Sequence, residues 1–159
     1  MMGGRKSRRR AVRIGLGVVA AALVLASFAF GRADFQGTDG DDEFVAEHGS
    51  STAHLLAGND SFTGAPGQDG GVDHVWSGSG NDTITGKSFA DMLRGNKGSN
   101  TLDGGPGIDG LRGGPGDDTL IGGLGRDLFR PRGGDDTCLG QRKDSGFPGR
   151  CEHAKIVKP

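Results

Sequence analysis

The chain has no tyrosine, one tryptophan, two cysteines, six prolines and only three glutamates in 159 residues. Each shortage excludes something. Aromatic residues at 6% and hydrophobic residues at 33% leave little material for a conventional single core of this length. With few prolines, and glycines that do not recur at every third residue, a collagen triple helix is excluded. Cys138 and Cys151 are not spaced as CxxC, and His48, His54, His74 and His153 lack partners at ligand spacing, so a zinc cluster is excluded. No HExxH is present, which removes a zinc-protease site of that type.

What the chain does have is glycine, 33 residues, and aspartate, 17 residues. Composition alone admits a disordered low-complexity chain or a repeat whose turns require glycine. The charge is unevenly placed. Residues 1–33 carry seven basic side chains and no acid, and the remainder holds 12 basic against all 20 acidic side chains, a net of −8. Such a body suits cations and not nucleic acid, which leans on a basic face.

Residues 1–33 read as an export signal. A basic stretch, Arg5 to Arg13, runs into the mostly apolar Ile14 to Phe30, with small residues behind it. Gly31-Arg32-Ala33 and Ala29-Phe30-Gly31 both satisfy the small-x-small pattern for cleavage. Residues 14–30 also reach the short limit of a membrane span, so an uncleaved anchor helix stays open as the alternative. Either way the body is expected outside the cytoplasm, secreted or held on the outer face of the membrane, with no membrane contact beyond that anchor. In that compartment Cys138 and Cys151 are expected to form a disulfide, worth about 3 kcal/mol in the chain-entropy picture.

Written in nines from Gly37, the body becomes a repeat. Ser77 to Leu139 holds seven units without an insertion, Gly37 to Thr63 holds three, and Gly64 to Trp76 is one unit lengthened by four residues. The fourth position is glycine in ten of these eleven units, Phe89 being the exception. The sixth is Asp42, Ser51, Asp60, Asp69 or Asp73, Asp82, Asp91, Asn100, Asp109, Asp118, Asp127 and Asp136. The eighth is apolar throughout, from Phe44 to Cys138. Low complexity supplies glycine and aspartate by chance, but not an apolar residue at every eighth position. Each unit therefore reads as a six-residue turn followed by a three-residue strand, with the eighth residue pointing inward and Thr83, Thr85, Thr101, Thr119 and Thr137 outward. Stacked coils then give two short parallel sheets with a thin apolar seam.

The pattern GGxGxDxUx, clearest in Gly104–Arg112, Gly113–Ile121 and Gly122–Arg130, strongly resembles the hemolysin-type calcium-binding (RTX) nonapeptide repeat. The resemblance covers residues 37–139 and implies an all-β, right-handed parallel β-roll, here preceded by the signal or anchor helix. Residues 140–159, with Lys143, Arg150, Lys155 and Lys158, read by their own composition as a basic, disulfide-closed cap on the open end of the roll, with a free targeting tail as the alternative. It also implies Ca²⁺ bound between coils by turn carbonyls and the sixth-position Asp, shared with the turn two units later. The ligands carried over are Asp42, Asp60, Asp82, Asp91, Asp109, Asp118, Asp127 and Asp136, with the turn glycines Gly104, Gly107, Gly113, Gly116, Gly122 and Gly125. Asp91 would pair with Asp109, Asp109 with Asp127, and Asp118 with Asp136. About five ions are expected.

The chemistry agrees with that ion. Oxygen-only donors, several of them carbonyls, suit a hard cation of flexible coordination better than Mg²⁺. An EF-hand loop counted from Asp39 would put Ser50 where a bidentate Glu is required, so that route is excluded. Some units depart from the pattern. Asn100 is neutral and is expected to weaken the sites shared with Asp82 and Asp118, Ser51 brings no carboxylate, and Asp69 and Asp73 compete for one role.

No catalytic constellation emerges. Gly49 to Ala53 only approximates a nucleophile elbow, and the GxGxxG of Gly105 to Gly110 is one frame of the repeat. The expectation is an exported calcium-binding β-roll without enzymatic activity, folding when Ca²⁺ binds, in a structural or surface-interaction role with an unidentified protein partner. A calcium-binding module of a secreted enzyme or toxin system, with the catalytic part on another chain, is the alternative.

Overall fold

The computed structural model describes residues 22–26, 32–67, 70–141, 143–145 and 151–156. Nine residues make half a coil, so successive units alternate between two parallel sheets. The eight-stranded sheet runs β1 (Ala22–Ala26), β3 (Asp42–Ala46), β5 (Ser61–Thr63), β7 (Thr83–Thr85), β9 (Thr101–Asp103), β12 (Thr119–Ile121), β15 (Thr137–Gly140), β16 (His153–Ile156). The six-stranded sheet runs β2 (Ala33–Gln36), β4 (Ser51–His54), β6 (His74–Ser79), β8 (Met92–Lys97), β11 (Gly110–Pro115), β14 (Leu128–Gly133). In the turns, β10 (Pro106–Gly107) pairs with β13 (Leu124–Gly125). Every strand pairing is parallel, as a β-roll requires.

The apolar column is the core. Each eighth-position residue from Phe44 to Cys138 is at most 2% exposed. Like residues stack on like: Leu93, Leu111 and Phe129 are register partners in one sheet, and Ile84, Leu102, Leu120 and Cys138 in the other. Burying each of the larger side chains contributes about 1.5–3 kcal/mol. The first position of the unit is a second inward column that sequence reasoning did not single out. Leu55, Ser77, Gly86, Gly104, Gly113 and Gly122 all lie buried there.

The strands of the six-stranded sheet are longer than three residues. β6, β8, β11 and β14 each have six, because the opening residues of the following turn keep pairing with the neighbouring coil, Gly78 with Asn96 and Gly114 with Arg132. Turn amides need partners as much as strand amides do, and the parallel stack supplies them.

Both ends carry the coil beyond the repeat. At the start, β2 places Phe35 in the inward column, its ring 5.0 Å from that of Phe44. The signal or anchor helix expected over residues 1–33 falls mostly outside the described residues. The part that is described differs from it: Ala22–Ala26 is extended as β1 and pairs along β3. An end strand has open backbone donors and acceptors, and an extended segment satisfies them where a helix would not. At the other end, the Ser145 N–H donates to the Asp127 carbonyl at 2.7 Å, and the Phe129 N–H to the Ser145 carbonyl at 2.8 Å. β16 then pairs along β15, and Cys138 and Cys151 form the expected disulfide. Among the described residues no helix is long and apolar enough to cross a membrane.

Candidate metal centre

Two ladders of carboxylates climb the roll, one on each edge. On the edge leading into the eight-stranded sheet, the Asp42 N–H donates to Oδ1 of Asp60 at 2.8 Å, Asp60 to Asp82 at 2.9 Å, and Asp118 to Asp136 at 2.9 Å. On the opposite edge, Asp73 donates to Asp91 and Asp91 to Asp109, each at 2.8 Å, and Asp109 to Asp127 at 3.0 Å. The three expected pairs, Asp91–Asp109, Asp109–Asp127 and Asp118–Asp136, are therefore neighbours in these ladders. The spacing follows from the coil: two nonapeptides bring a residue back to the same edge one strand spacing higher.

The second carboxylate oxygen is the informative one. Oδ2 of Asp60, Asp73, Asp82, Asp91, Asp109, Asp127 and Asp136 is buried with no hydrogen-bond partner. An acceptor-only oxygen left unpaired in the interior is costly, so seven of them in register indicate a cationic counterpart. Asp42 and Asp118 differ, since their Oδ2 atoms accept from the Thr38 N–H at 2.6 Å and the Gly114 N–H at 2.7 Å.

The glycines make room for these oxygens. A Cβ on Gly104, Gly113 or Gly122 would collide with Oδ2 of Asp109, Asp118 or Asp127 respectively. Gly107, Gly116 and Gly125, at the fourth position, instead lie against carbonyl oxygens of the preceding coil, those of Phe89, Gly98 and Gly107. Carbonyl oxygens thus stack between coils beside the carboxylates. Among the described residues no three His, Cys, Asp or Glu side chains converge on one point. The donor set is one or two carboxylates plus backbone carbonyls, which fits a hard cation and not zinc.

Burial makes the carboxylates hard to ionise without a cation. It pushes Asp60, Asp91 and Asp109 up to about 7 and Asp73 to about 6, partly opposed by the N–H each one accepts. Asp82, Asp118, Asp127 and Asp136 are raised as well, again chiefly by burial.

Asp73, not Asp69, occupies the ladder of the lengthened unit: its Oδ1 accepts from the Ser51 N–H at 2.7 Å, while Asp69 lies outside the described residues. The neutral members behave as their chemistry dictates. Asn100 accepts from Asp82 at 3.0 Å, but its Nδ2 donates to the Gly98 carbonyl at 3.2 Å and to Oδ1 of Asp118 at 3.1 Å. A donor therefore stands where seven ladder aspartates hold a free oxygen. Sequence reasoning missed two members in the tail. Asp144 accepts from the Asp127 N–H at 3.1 Å, and Glu152 from the Asp136 N–H at 3.1 Å. Their offsets are 17 and 16 residues in place of 18, so a strict count of nines passes over them.

Glycine-rich turns, two carboxylate ladders and stacked carbonyls define a parallel β-roll whose edges offer oxygen donors suited to hard cations. The chain belongs to the RTX calcium-binding nonapeptide repeat family, whose four-copy pattern matches residues 36–70, 76–111 and 107–138, well over half of the protein. The repeats make it a calcium-binding β-roll, and proteins carrying them are typically secreted. Comparison with curated proteins finds no match.

Proposed function

We propose that this protein is exported, that its body folds when Ca²⁺ binds, and that it serves a structural or surface-interaction role without catalysis. The observation that carries the reading is the set of seven buried Oδ2 atoms without hydrogen-bond partners, in register on two edges. Calcium would sit between consecutive carboxylates and the turn carbonyls, with Asp60, Asp82, Asp91, Asp109, Asp127 and Asp136 as anionic ligands and Asp73 completing the opposite edge. Between five and seven ions per chain fit the ladder. Counted as neighbouring aspartates, Asp42–Asp60, Asp60–Asp82 and Asp118–Asp136 stand on one edge, and Asp73–Asp91, Asp91–Asp109, Asp109–Asp127 and Asp127–Asp144 on the other.

Folding and binding are coupled because the ligands of one ion come from two coils, which are adjacent only when the roll has formed. Each ion contributes about 2.7 kcal/mol when free calcium is a hundred times its dissociation constant. Outside the cell millimolar calcium is available, and the disulfide is in keeping with that compartment. Far-UV circular dichroism of the full chain in calcium and in chelator tests the reading. A β signal that grows with calcium is expected, and identical spectra would reject it.

A further inference from the structure

The two edges differ in a way that calcium binding does not require. On the edge of Asp42 and Asp60, the fifth position carries exposed polar residues, Asp41, Asn59, Asn81, Ser99, Asp117 and Asp135. On the other edge Phe89, Ile108 and Leu124 stand out on three successive coils, 47%, 68% and 55% exposed. The backbone segments that carry them stack from coil to coil: the Phe89 N–H donates to the Pro106 carbonyl at 3.0 Å, two residues before Ile108, and Pro106 is the register partner of Leu124. Round the corner, on the outer face of the six-stranded sheet, exposed Met92 and Leu128 lie either side of Gly110.

Beside them runs a row of charge. Arg94, Arg112 and Arg130 are register partners in β8, β11 and β14 and line a shallow groove with Met92 and Leu128. Among the described residues none of the three guanidinium groups pairs with a carboxylate, although the chain holds 17 aspartates. Arg112 is lowered from its usual range, by desolvation first and then by the like charges of Arg132, Arg94 and Arg130. Like charges directly opposite each other on neighbouring strands are destabilising. An uncompensated arginine row next to an exposed apolar ridge matches the chemistry of an interface that is both anionic and oily.

We propose that this edge and sheet face dock on an anionic lipid surface, with Phe89, Ile108 and Leu124 entering the headgroup region and Arg94, Arg112 and Arg130 holding lipid phosphates. The acidic edge then points away from the membrane. A soluble linear polyanion would use the arginines but has no use for the apolar ridge, and a neutral bilayer would use the ridge alone. The proposal names the partner of the surface-interaction role and rests on the calcium-loaded roll being the folded form.

The single tryptophan reports on this face. Trp76 is the register partner of Arg94, whose guanidinium lies 5.3 Å from its ring, and it stacks on His54 at 4.6 Å. The full chain in calcium is titrated with phosphatidylglycerol or phosphatidylcholine vesicles carrying a spin label at the headgroup. Quenching of Trp76 is expected with phosphatidylglycerol, and about tenfold weaker binding with phosphatidylcholine or in high salt. Arg112→Glu with Arg130→Glu, and separately Ile108→Ser with Leu124→Ser, should each weaken binding by about fivefold or more. Arg112→Gln replaces the first pair if circular dichroism shows that it loses the roll. Vesicle association without quenching, quenching that none of these variants changes, or binding of soluble polyglutamate or heparin without any response to vesicles would overturn the proposal. Circular dichroism of the unsubstituted chain in the same buffer separates the two readings: no calcium-induced β signal there rejects the folding switch, whereas a folded roll that ignores vesicles rejects only the docking surface.

Discussion

The backbone N–H of Asp91 donates to Oδ1 of Asp109, eighteen residues further along the chain, at 2.8 Å. Oδ2 of the same carboxylate is buried without a hydrogen-bond partner. One side chain therefore splices two coils with one oxygen and offers the other to a cation. Asp109→Asn keeps an acceptor for the Asp91 amide but removes the anionic oxygen. Calorimetric titration should find fewer or weaker calcium sites, with circular dichroism at saturating calcium little changed. Asp109→Ala also strands the Asp91 amide, at an added cost of about 1–3 kcal/mol in calcium-loaded stability.

Asn100 is the break in its ladder, placing an NH₂ group where seven of the ladder aspartates place a free oxygen. Asn100→Asp joins Asp82 to Asp118 through a third carboxylate. The calcium stoichiometry should rise by one or two ions, while in chelator any β structure formed at low pH should be lost at a lower pH than in the unsubstituted chain, because one more buried carboxylate faces its neighbours. A rise in stoichiometry with no such shift would contradict the electrostatic account.

The pH dependence in chelator follows from the carboxylates. In the unfolded chain an aspartate has the ordinary value of 3.8, whereas the folded roll pushes Asp60, Asp91 and Asp109 up to about 7. The folded state thus binds protons more tightly than the unfolded one between these limits, and its stability falls as pH rises from about 4 to about 7. Chelated protein should lose β structure on going from pH 4 to pH 8, followed by circular dichroism. With calcium bound the ion takes the place of the proton, and the loss over that range should disappear.

Phe89 takes the fourth position, where ten other units have glycine, and it adopts a φ of 82°. A bulky residue in the left-handed region is strained by about 1–3 kcal/mol, of which glycine's extra chain entropy offsets under 1 kcal/mol. Phe89→Gly should stabilise the calcium-loaded roll by about 1 kcal/mol, seen as a higher midpoint in thermal unfolding. Gly125→Ala at the same position should do the reverse. Its φ is 152°, and its Cβ would be driven into the Gly107 carbonyl of the coil before, leaving no way to relax without separating the coils.

Much of the architecture was legible because nine residues make half a coil. Any property needed once per half-coil must then recur every nine residues, so the sixth and eighth columns could be read directly as edge carboxylates and core. The partners of Asp91, Asp109 and Asp118 came from the resemblance to the RTX repeat, and the hydrogen bonds between coils place those residues as neighbours. The count of nines failed where the coil changes length. Asp144 and Glu152 continue the ladders at offsets that the period does not mark, and the lengthened unit left Asp69 and Asp73 indistinguishable. The inward first position was overlooked because glycine there looked like turn chemistry, when its role is to leave space for a carboxylate oxygen.

The sequence by itself determined the repeat, the inward column, the disulfide and the cation chemistry, since each depends on residue type at a fixed spacing. Only the tertiary structure decided which carboxylate oxygens are free, where the arginine row lies and which edge is apolar. Those are relations between residues eighteen or more positions apart, brought to within bonding distance by the stacking of coils, and a linear pattern carries no measure of that distance.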